Sequence, residues 1–235
     1  MLHSDIVAVI PAHNEEGTIA ALVHSIRHDH GLAVVVVDDL SCDATVQRAY
    51  EAGATVLPLR VQLGAWGAIQ AGFRYALTLG CKYCLTLDAD GQHLPEMIPG
   101  LVTEILANPC DMVIGSCPER GSTLRRMAWS IFRTIGGFTL SDLTSGFRIY
   151  SRQTVEILVS SNASLLDYQD MGVLMLLRDN GMCIREISVC MLPRKCGHSR
   201  VFSTWYQVAQ YMMKTSLLCA SKIAMPKSPN SISKD

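Results

Sequence analysis

Two carboxylates and an amide stand close together in the segment Asp88-Ala89-Asp90-Gly91-Gln92, directly after an apolar run. Two ionised carboxylates so close in sequence repel each other, and a divalent cation relieves that repulsion. Mg²⁺ and Mn²⁺ prefer hard oxygen ligands, and the amide of Gln92 adds a neutral oxygen. The pattern therefore favours a metal site. The alternative is an acidic pair that caps the helix predicted to begin near Pro95, or that simply lies in water.

Two more apolar runs end in polar residues. The first ends in Pro11-Ala12-His13-Asn14-Glu15 and the second in Asp38-Asp39-Leu40-Ser41. The carboxyl ends of parallel strands meet at one edge of a sheet, and ligands bind there. Carboxylates at such an edge can accept hydrogen bonds from a nucleotide base or from ribose hydroxyls. Alternatively, Asp38 and Asp39 form an Asx turn or cap the helix after Asp43.

Two further patterns allow either a site or ordinary packing. Gly64, Gly67 and Gly72 frame a helix start, where small residues would let a backbone approach a phosphate or sugar closely; helix packing explains them equally well. Cys81 and Cys84 have the spacing of half a metal knuckle. Structural zinc sites usually need four ligands and no second Cys-x-x-Cys pair exists, so we expect buried thiols.

The elements that must position these residues follow from apolar periodicity. Apolar, β-branched runs predict seven strands, at residues 6–10, 33–37, 55–59, 83–87, 112–115, 147–150 and 184–189. Helical spacing separates them, at 15–28, from near Pro95, and at 125–137 and 171–180. Val46, Ala49 and Tyr50 are predicted to share the apolar face of another helix. Strands that alternate with helices indicate a mostly parallel sheet. We therefore predict an α/β fold with a Rossmann-like, doubly wound sheet and helices on both faces.

Composition narrows the class of partner. The 235 residues carry 20 basic and 21 acidic side chains, which gives a net charge of −1 and disfavours nucleic-acid binding. The first apolar run is too short and wrongly flanked for a signal peptide, and no stretch has the roughly 18 uninterrupted apolar residues of a membrane span. Nine cysteines without a signal sequence suggest reduced thiols and a cytoplasmic location.

Four segments in order resemble the signature of family 2 glycosyltransferases with the GT-A fold, most closely the dolichyl- and polyprenyl-phosphate mannose synthase branch and its soluble bacterial relatives. They are the polar segments 11–15, 38–41 and 88–93, and the segment Asp142-Leu143-Thr144-Ser145-Gly146-Phe147-Arg148. The resemblance runs from about residue 6 to residue 200. Four motifs in the right order are far more specific than any one alone.

The resemblance implies an inverting transfer of a hexose from a GDP- or UDP-sugar in cell-envelope or lipid-linked glycan synthesis. It implies Mg²⁺ or Mn²⁺ at Asp90 and Gln92, and a donor sugar or ribose facing Asp88. The remaining donor contacts that we expect are Pro11, Ala12, His13, Glu15, Asp39 and Gly67.

The resemblance also implies roles in the second half of the chain. Ser145 and Arg148 resemble residues that line the catalytic centre and the acceptor phosphate. Arg194 opens a segment, 194–199, that resembles a flexible loop closing over the diphosphate. Asp170 is the candidate general base if the acceptor is a hydroxyl. A phosphate acceptor needs no base, and Asp170 is then a carboxylate at a helix N-terminus.

Two motif positions leave alternatives open. Leu40 stands where the family usually has glycine, so that turn could differ in conformation. His93 could be a metal ligand or could support the turn.

Two other functions compete with sugar transfer: a catalytically silent sugar-nucleotide-binding subunit, and a nucleotidyltransferase, which should carry a glycine-rich basic loop where Asn14-Glu15-Glu16 stands.

The end of the chain forms a separate expectation. Residues 201–222 show a helical pattern that is dense in aromatics and methionine but interrupted by polar residues such as Gln207. Such a helix is amphipathic. It could lie in the membrane interface near a polyprenyl-phosphate acceptor, or pack against the catalytic domain or a second subunit as a homodimer contact. We thus divide the chain into a catalytic domain (1–200), an amphipathic helix (201–225) and a disordered tail (226–235).

Overall fold

The computed structural model describes residues 5–120, 139–164, 166 and 170–192. Seven strands form one sheet in the order β3-β2-β1-β4-β6-β5-β7. Their bounds are β1 (Ile6–Ala12), β2 (Ala33–Asp38), β3 (Thr55–Pro58), β4 (Tyr83–Thr86), β5 (Met112–Ser116), β6 (Arg148–Ser151) and β7 (Ile184–Ser188). Each predicted strand is confirmed. The inner strands are mostly buried, as their apolar runs predict, whereas the edge strands β3 and β7 are partly exposed.

Helices connect the strands. Their bounds are α1 (Ile19–His28), α2 (Thr45–Glu51), α3 (Gly64–Thr78), α4 (Ile98–Ala107), α5 (Arg152–Leu158), α6 (Ser161–Ser164) and α7 (Met171–Asp179), with short 3₁₀ turns at Pro95–Met97 and Pro118–Arg120. The first helix begins four residues later than predicted. Residues 16–18 form a turn, in which the backbone N–H of Thr18 donates to the carbonyl of Glu15 at 3.1 Å. The helices predicted at 125–137 and 201–222 lie outside the described residues.

Both faces of the sheet are covered, as predicted. Alternate residues of β1 point to opposite faces, with Val7 and Val9 on one side and Ala8 and Ile10 on the other. The first side packs against α3, α5 and α7, and the second against α1, α2 and α4. In the described part of the chain, every helix is too short or too polar to cross a bilayer.

The prediction that Tyr50 lies on the apolar face of its helix is wrong. Helix α2 buries Thr45 and Ala49, which are four residues apart and share one face. Tyr50 is 74% exposed. It follows Ala49 by about 100° around the helix, so the narrow buried stripe of this short helix excludes it.

Strand β6 is the one strand whose direction matters most for function. It pairs antiparallel with β4 on one side and with β5 on the other, whereas β1, β2, β3 and β4 are parallel. An antiparallel strand begins at the edge where its neighbours end. The segment 139–147, which precedes β6, therefore lies beside the residues that follow β4.

Candidate active site

The acidic turn that follows β4 has a fixed backbone shape. Asp90 is buried, and its Oδ1 accepts a hydrogen bond of 3.0 Å from the backbone N–H of Gln92. Gly91, between them, has φ +76°, a left-handed conformation that glycine adopts without a steric penalty. The turn thus presents the oxygens of Asp88, Asp90 and Gln92 within five residues of chain at the sheet edge.

Asp88 is the partly exposed carboxylate of this turn, with 40% of its side chain accessible. Its backbone N–H donates to Nδ1 of His93 at 3.0 Å, and its Oδ2 lies 3.8 Å from Nε2 of the same ring. The carboxylate also lies against Gly146, where a β-carbon would be 2.8 Å from Oδ1. The structure therefore brings the acidic turn and the segment before β6 into direct contact.

The segment 142–148 is held by buried hydrogen bonds. The side chain of Asp142 is buried and accepts from the backbone N–H of Thr144 at 3.0 Å. Arg148 is completely buried, and its Nε and Nη2 donate to the carbonyls of Ser145 (2.7 Å) and Leu143 (3.0 Å). The buried guanidinium of Arg148 therefore stabilises the backbone conformation of this loop.

Ser145 is also buried, and its Oγ accepts from the N–H of Phe147 at 3.3 Å. The hydroxyl therefore shapes the turn that brings Gly146 to Asp88. Sequence reasoning placed Ser145 and Arg148 at the catalytic centre. The structure places both at the site, but behind the backbone that faces Asp88.

Hydrogen bonds connect the loops that follow β1 and β2 at the same edge of the sheet. His13 Nδ1 is 2.7 Å from the carbonyl of Asp39, which can only accept, so Nδ1 carries the proton. The side-chain oxygen of Asn14 accepts from the backbone N–H of Cys42 at 2.8 Å. The backbone N–H of Asn14 donates to the hydroxyl of Ser41 at 2.9 Å. The two polar segments predicted to meet at this edge are thus one hydrogen-bonded unit.

The carboxylate of Asp39 has a structural task that the sequence did not show. Its two oxygens accept from the backbone N–H groups of Leu63 (2.7 Å) and Gly64 (2.9 Å), at the start of α3. Helix starts leave N–H groups unsatisfied, and a carboxylate is a strong acceptor for them. Each oxygen keeps a further lone pair that a nucleotide could use.

The remaining predicted donor contacts lie around this unit. The carbonyl of Ala12 accepts from the N–H of Asp39 at 2.8 Å, and Pro11 pairs with Val37 across the sheet. The N–H of Glu15 donates to the hydroxyl of Thr45 at 2.8 Å. Gly67 packs under the side chain of Leu63, with 2.6 Å from a built β-carbon to Leu63 Cβ. Packing against Leu63, the residue before α3, therefore accounts for Gly67 directly.

Thr18 links these loops to the acidic turn, and sequence reasoning missed it. It is buried, and its hydroxyl donates to the carbonyl of Ala89 at 2.5 Å. The residue directly precedes α1, the N-cap position where threonine is common, and that position was the available signal.

The site also contacts the chain beyond β7. The N–H of Leu192 donates to the carbonyl of Gln92 at 2.9 Å, and Gln92 Nε2 is 3.4 Å from the carbonyl of Leu192. Arg194, the predicted diphosphate contact, lies outside the described residues. Asp170 directly precedes α7, which leads into β7, so the helix begins at the edge where the parallel strands end.

The donor set of the acidic turn fits a hard divalent cation. Asp88, Asp90 and Gln92 supply two carboxylates and one amide oxygen, the ligand types that Mg²⁺ and Mn²⁺ take. Among the described residues, no three histidine, cysteine, aspartate or glutamate side chains cluster around a point that could hold a metal. Asp90 and Gln92 alone would fill only part of a six-coordinate sphere and would leave positions for the oxygens of a bound ligand.

The cysteine pair lies away from this site. Cys81 and Cys84 flank the start of β4, and the acidic turn follows its end. Both are buried, with their sulfurs 3.5 Å apart, which is consistent with the expected buried thiols. The hydrogen bond between them, aided by burial, raises the pKa of Cys84, and the same bond lowers the pKa of Cys81 against a smaller opposing effect of burial.

Comparison with known proteins points to one family. Residues 7–165 match the family model described as glycosyl transferase family 2. The chain is 30% identical to an undecaprenyl-phosphate mannosyltransferase of Micrococcus luteus, over 83% of this chain and 87% of that protein. It is 28% identical to a polyprenol monophosphomannose synthase of Mycolicibacterium smegmatis, over 83% of this chain and 80% of that protein.

The fold agrees with this assignment. A crystal structure of glucosyl-3-phosphoglycerate synthase from Mycobacterium tuberculosis, in complex with Mn²⁺, uridine diphosphate and phosphoglyceric acid, superposes with a TM-score of 0.71. The superposition covers 95% of this chain and 80% of that one at 21% identity, and so supports the predicted GT-A fold. The ordered polar segments, the sheet that carries them and the matched family model agree: the chain belongs to glycosyl transferase family 2.

Proposed function

We propose that this glycosyltransferase moves a hexose from a GDP- or UDP-sugar to a polyprenyl phosphate, with inversion at the anomeric carbon, in cell-envelope glycan synthesis. The similar enzymes of Micrococcus luteus and Mycolicibacterium smegmatis are named for polyprenyl acceptors and support this acceptor class. Glycan acceptors remain the other substrate class within the same proposal.

The observation that carries the proposal is the contact between Asp88 and Gly146. It joins two parts of one centre: the acidic turn, which suits a donor diphosphate, and the segment 142–148, which the family resemblance associates with the acceptor. A transfer reaction needs both substrates held at reacting distance, and positioning of this kind supplies much of the rate enhancement.

On the donor side, the unit formed by the loops after β1 and β2 would hold the nucleoside. The backbone of 11–15 and the carboxylate of Asp39 line the sheet edge there. Asp90 and Gln92 would hold Mg²⁺ or Mn²⁺, with Asp88 beside the donor sugar or ribose. When bound, the metal would supply Lewis-acid stabilisation of the nucleoside diphosphate as it leaves.

On the acceptor side, the chemistry depends on the nucleophile. A polyprenyl phosphate is already anionic and needs no general base, whereas a sugar hydroxyl does. Asp170, at the start of α7, is the candidate base for a hydroxyl acceptor. Arg194 is proposed as the cation that contacts the diphosphate, because a guanidinium can make bidentate phosphate contacts.

The deciding experiment is a transfer assay with a panel of radiolabelled GDP- and UDP-hexoses, with Mn²⁺ or with EDTA, and with undecaprenyl phosphate in detergent. We expect one donor to yield a metal-dependent lipid-linked sugar. Nuclear magnetic resonance of the product linkage tests inversion. Nucleotide binding without turnover of any donor would instead favour the silent binding subunit.

Residues 201–225 are proposed to form an amphipathic helix that brings the catalytic domain, residues 1–200, to the cytoplasmic face of the membrane. Deletion of residues 201–235 should then reduce co-sedimentation with vesicles that contain undecaprenyl phosphate. If the helix serves a homodimer instead, the same deletion should change the mass measured by light scattering and leave vesicle binding unchanged.

A further inference from the structure

We propose that His93 is a positioning residue that holds Asp88 in its working orientation. The inference rests on the proposed function, because it takes Asp88 as the donor-side carboxylate. It assigns to His93 a task that is separate from metal ligation and from simple turn formation.

The first step of the argument is the hydrogen bond from the backbone of Asp88 to the ring of His93. The N–H of Asp88 lies 3.0 Å from Nδ1. A backbone N–H can only donate, so Nδ1 is the acceptor and carries no proton. In the neutral ring the proton is then on Nε2.

The second step is the distance from that nitrogen to the carboxylate of the same residue. Nε2 is 3.8 Å from Oδ2 of Asp88, which is longer than a direct hydrogen bond, so the attraction between the two groups is electrostatic. One imidazole thereby contacts both ends of Asp88. The hydrogen bond to the backbone fixes the position of the Asp88 main chain. The partial positive charge of the Nε2–H group attracts the carboxylate toward the ring.

The third step is the rigidity of the ring. His93 is 2% exposed, and its ring stacks on Phe147 with centroids 5.3 Å apart and an angle of 23° between the planes. Its backbone forms a bridge with Met191. A ring held on these sides cannot rotate freely, so its contacts with Asp88 are maintained. Phe147 directly follows Gly146 in sequence. One segment therefore contacts the carboxylate of Asp88 and also packs against the ring that binds the backbone of Asp88.

This geometry also decides between the two roles that the sequence left open for His93. A neutral imidazole binds a metal through an unprotonated nitrogen. Nδ1 already accepts from Asp88, and Nε2 carries the proton. In this arrangement neither nitrogen offers a lone pair to a metal. Of the two roles, support of the turn is therefore the one that fits the structure, and the proposal adds to it the positioning of the Asp88 carboxylate.

Two substitutions separate positioning from packing. His93→Phe keeps the ring and its stacking but removes both nitrogens. His93→Asn loses the stacking, but its side-chain oxygen can take the place of Nδ1 and accept from Asp88. We expect His93→Phe to lower kcat about 10- to 100-fold, as for a misplaced catalytic group, and His93→Asn to recover part of that loss. His24→Asn, on the exposed face of α1, is the matched control and should keep wild-type kcat.

A packing role predicts the reverse order, with His93→Phe active and His93→Asn impaired, and that order would overturn the proposal. The Asp88→Asn background gives a second test that does not depend on the Asn rescue. If His93 acts through Asp88, His93→Phe should add little further loss of kcat there. An equal loss in both backgrounds would also overturn it. A wild-type enzyme that transfers no sugar contradicts the proposed function instead, so the two failures are distinguishable.

Discussion

The carboxylate of Asp88 lies against the α-carbon of Gly146, and a β-carbon built there would lie 2.8 Å from Oδ1 and 2.9 Å from Oδ2. This contact joins the turn after β4 to the segment before β6. A side chain at position 146 would therefore clash with the carboxylate oxygens of Asp88 in their observed position.

Gly146→Ala should therefore displace Asp88 and lower kcat/KM for sugar transfer about 10- to 100-fold, because small misplacements of catalytic groups have effects of this size. Steady-state kinetics measure the loss, and circular dichroism checks the fold. Gly17→Ala is the control, because a β-carbon at Gly17 would meet no atom within 4 Å. Equal activity of the two variants would contradict the importance of the contact.

Asp90→Asn should weaken Mn²⁺ binding at least about tenfold, since the affinity of such sites depends on ligand charge. Asparagine keeps the Oδ1 that accepts from Gln92, so the turn should survive. Titration of Mn²⁺ followed by electron paramagnetic resonance measures the affinity, and thermal unfolding shows whether the turn is intact. Unchanged metal-dependent turnover would refute the assignment of Asp90 to the metal.

Arg148→Lys should destabilise the protein by about 1–3 kcal/mol, because lysine cannot donate to the carbonyls of both Ser145 and Leu143 in this geometry and leaves a buried acceptor unsatisfied. Denaturant unfolding measures the change. Arg178→Lys, an exposed control, should change the stability by less than about 0.5 kcal/mol. A raised KM for the acceptor without loss of stability would instead support the direct acceptor contact inferred from the family.

Leu40→Gly should stabilise the protein by up to about 1.5 kcal/mol. Leu40 has φ +66°, which costs a non-glycine residue about 1–2 kcal/mol, whereas the greater freedom of glycine when unfolded costs about 0.5–1 kcal/mol. Leu79→Gly is the matched control: Leu79 is 52% exposed against 50% for Leu40, but its φ is −78°. Thermal unfolding should show a higher Tm for the first variant and a lower Tm for the second.

Asp43→Asn tests a pH-dependent contribution to stability. Burial opposes ionisation of Asp43, but hydrogen bonds from the side chain and backbone of Thr45 and from the backbone of Glu16 outweigh it, so its pKa lies below the ordinary value of 3.8. Its contribution is thus fully present above pH 4 and is lost as the pH falls through the folded-state pKa. The difference in Tm between wild type and Asp43→Asn should be largest near pH 7 and shrink toward pH 2. A difference that is constant with pH would contradict this.

Much of this protein is determined by local sequence. The seven strands follow from β-branched runs. Leu40 is an exception, because its φ of +66° is one that leucine rarely adopts. The polar strand ends are also local, and they predicted the edge at which the site lies. Helices α5 and α6 were not predicted, because their short polar-start sequences carry weak periodicity.

The tertiary structure decided which of these groups meet. The apolar run of β6 does not encode its direction, and only its antiparallel insertion between β4 and β5 brings Gly146 to Asp88. Likewise, the burial of Arg148 and the contacts of His93 depend on residues far away in the chain. Local propensity sets the period of an element, but strand order and side-chain contacts depend on how all the elements share one core.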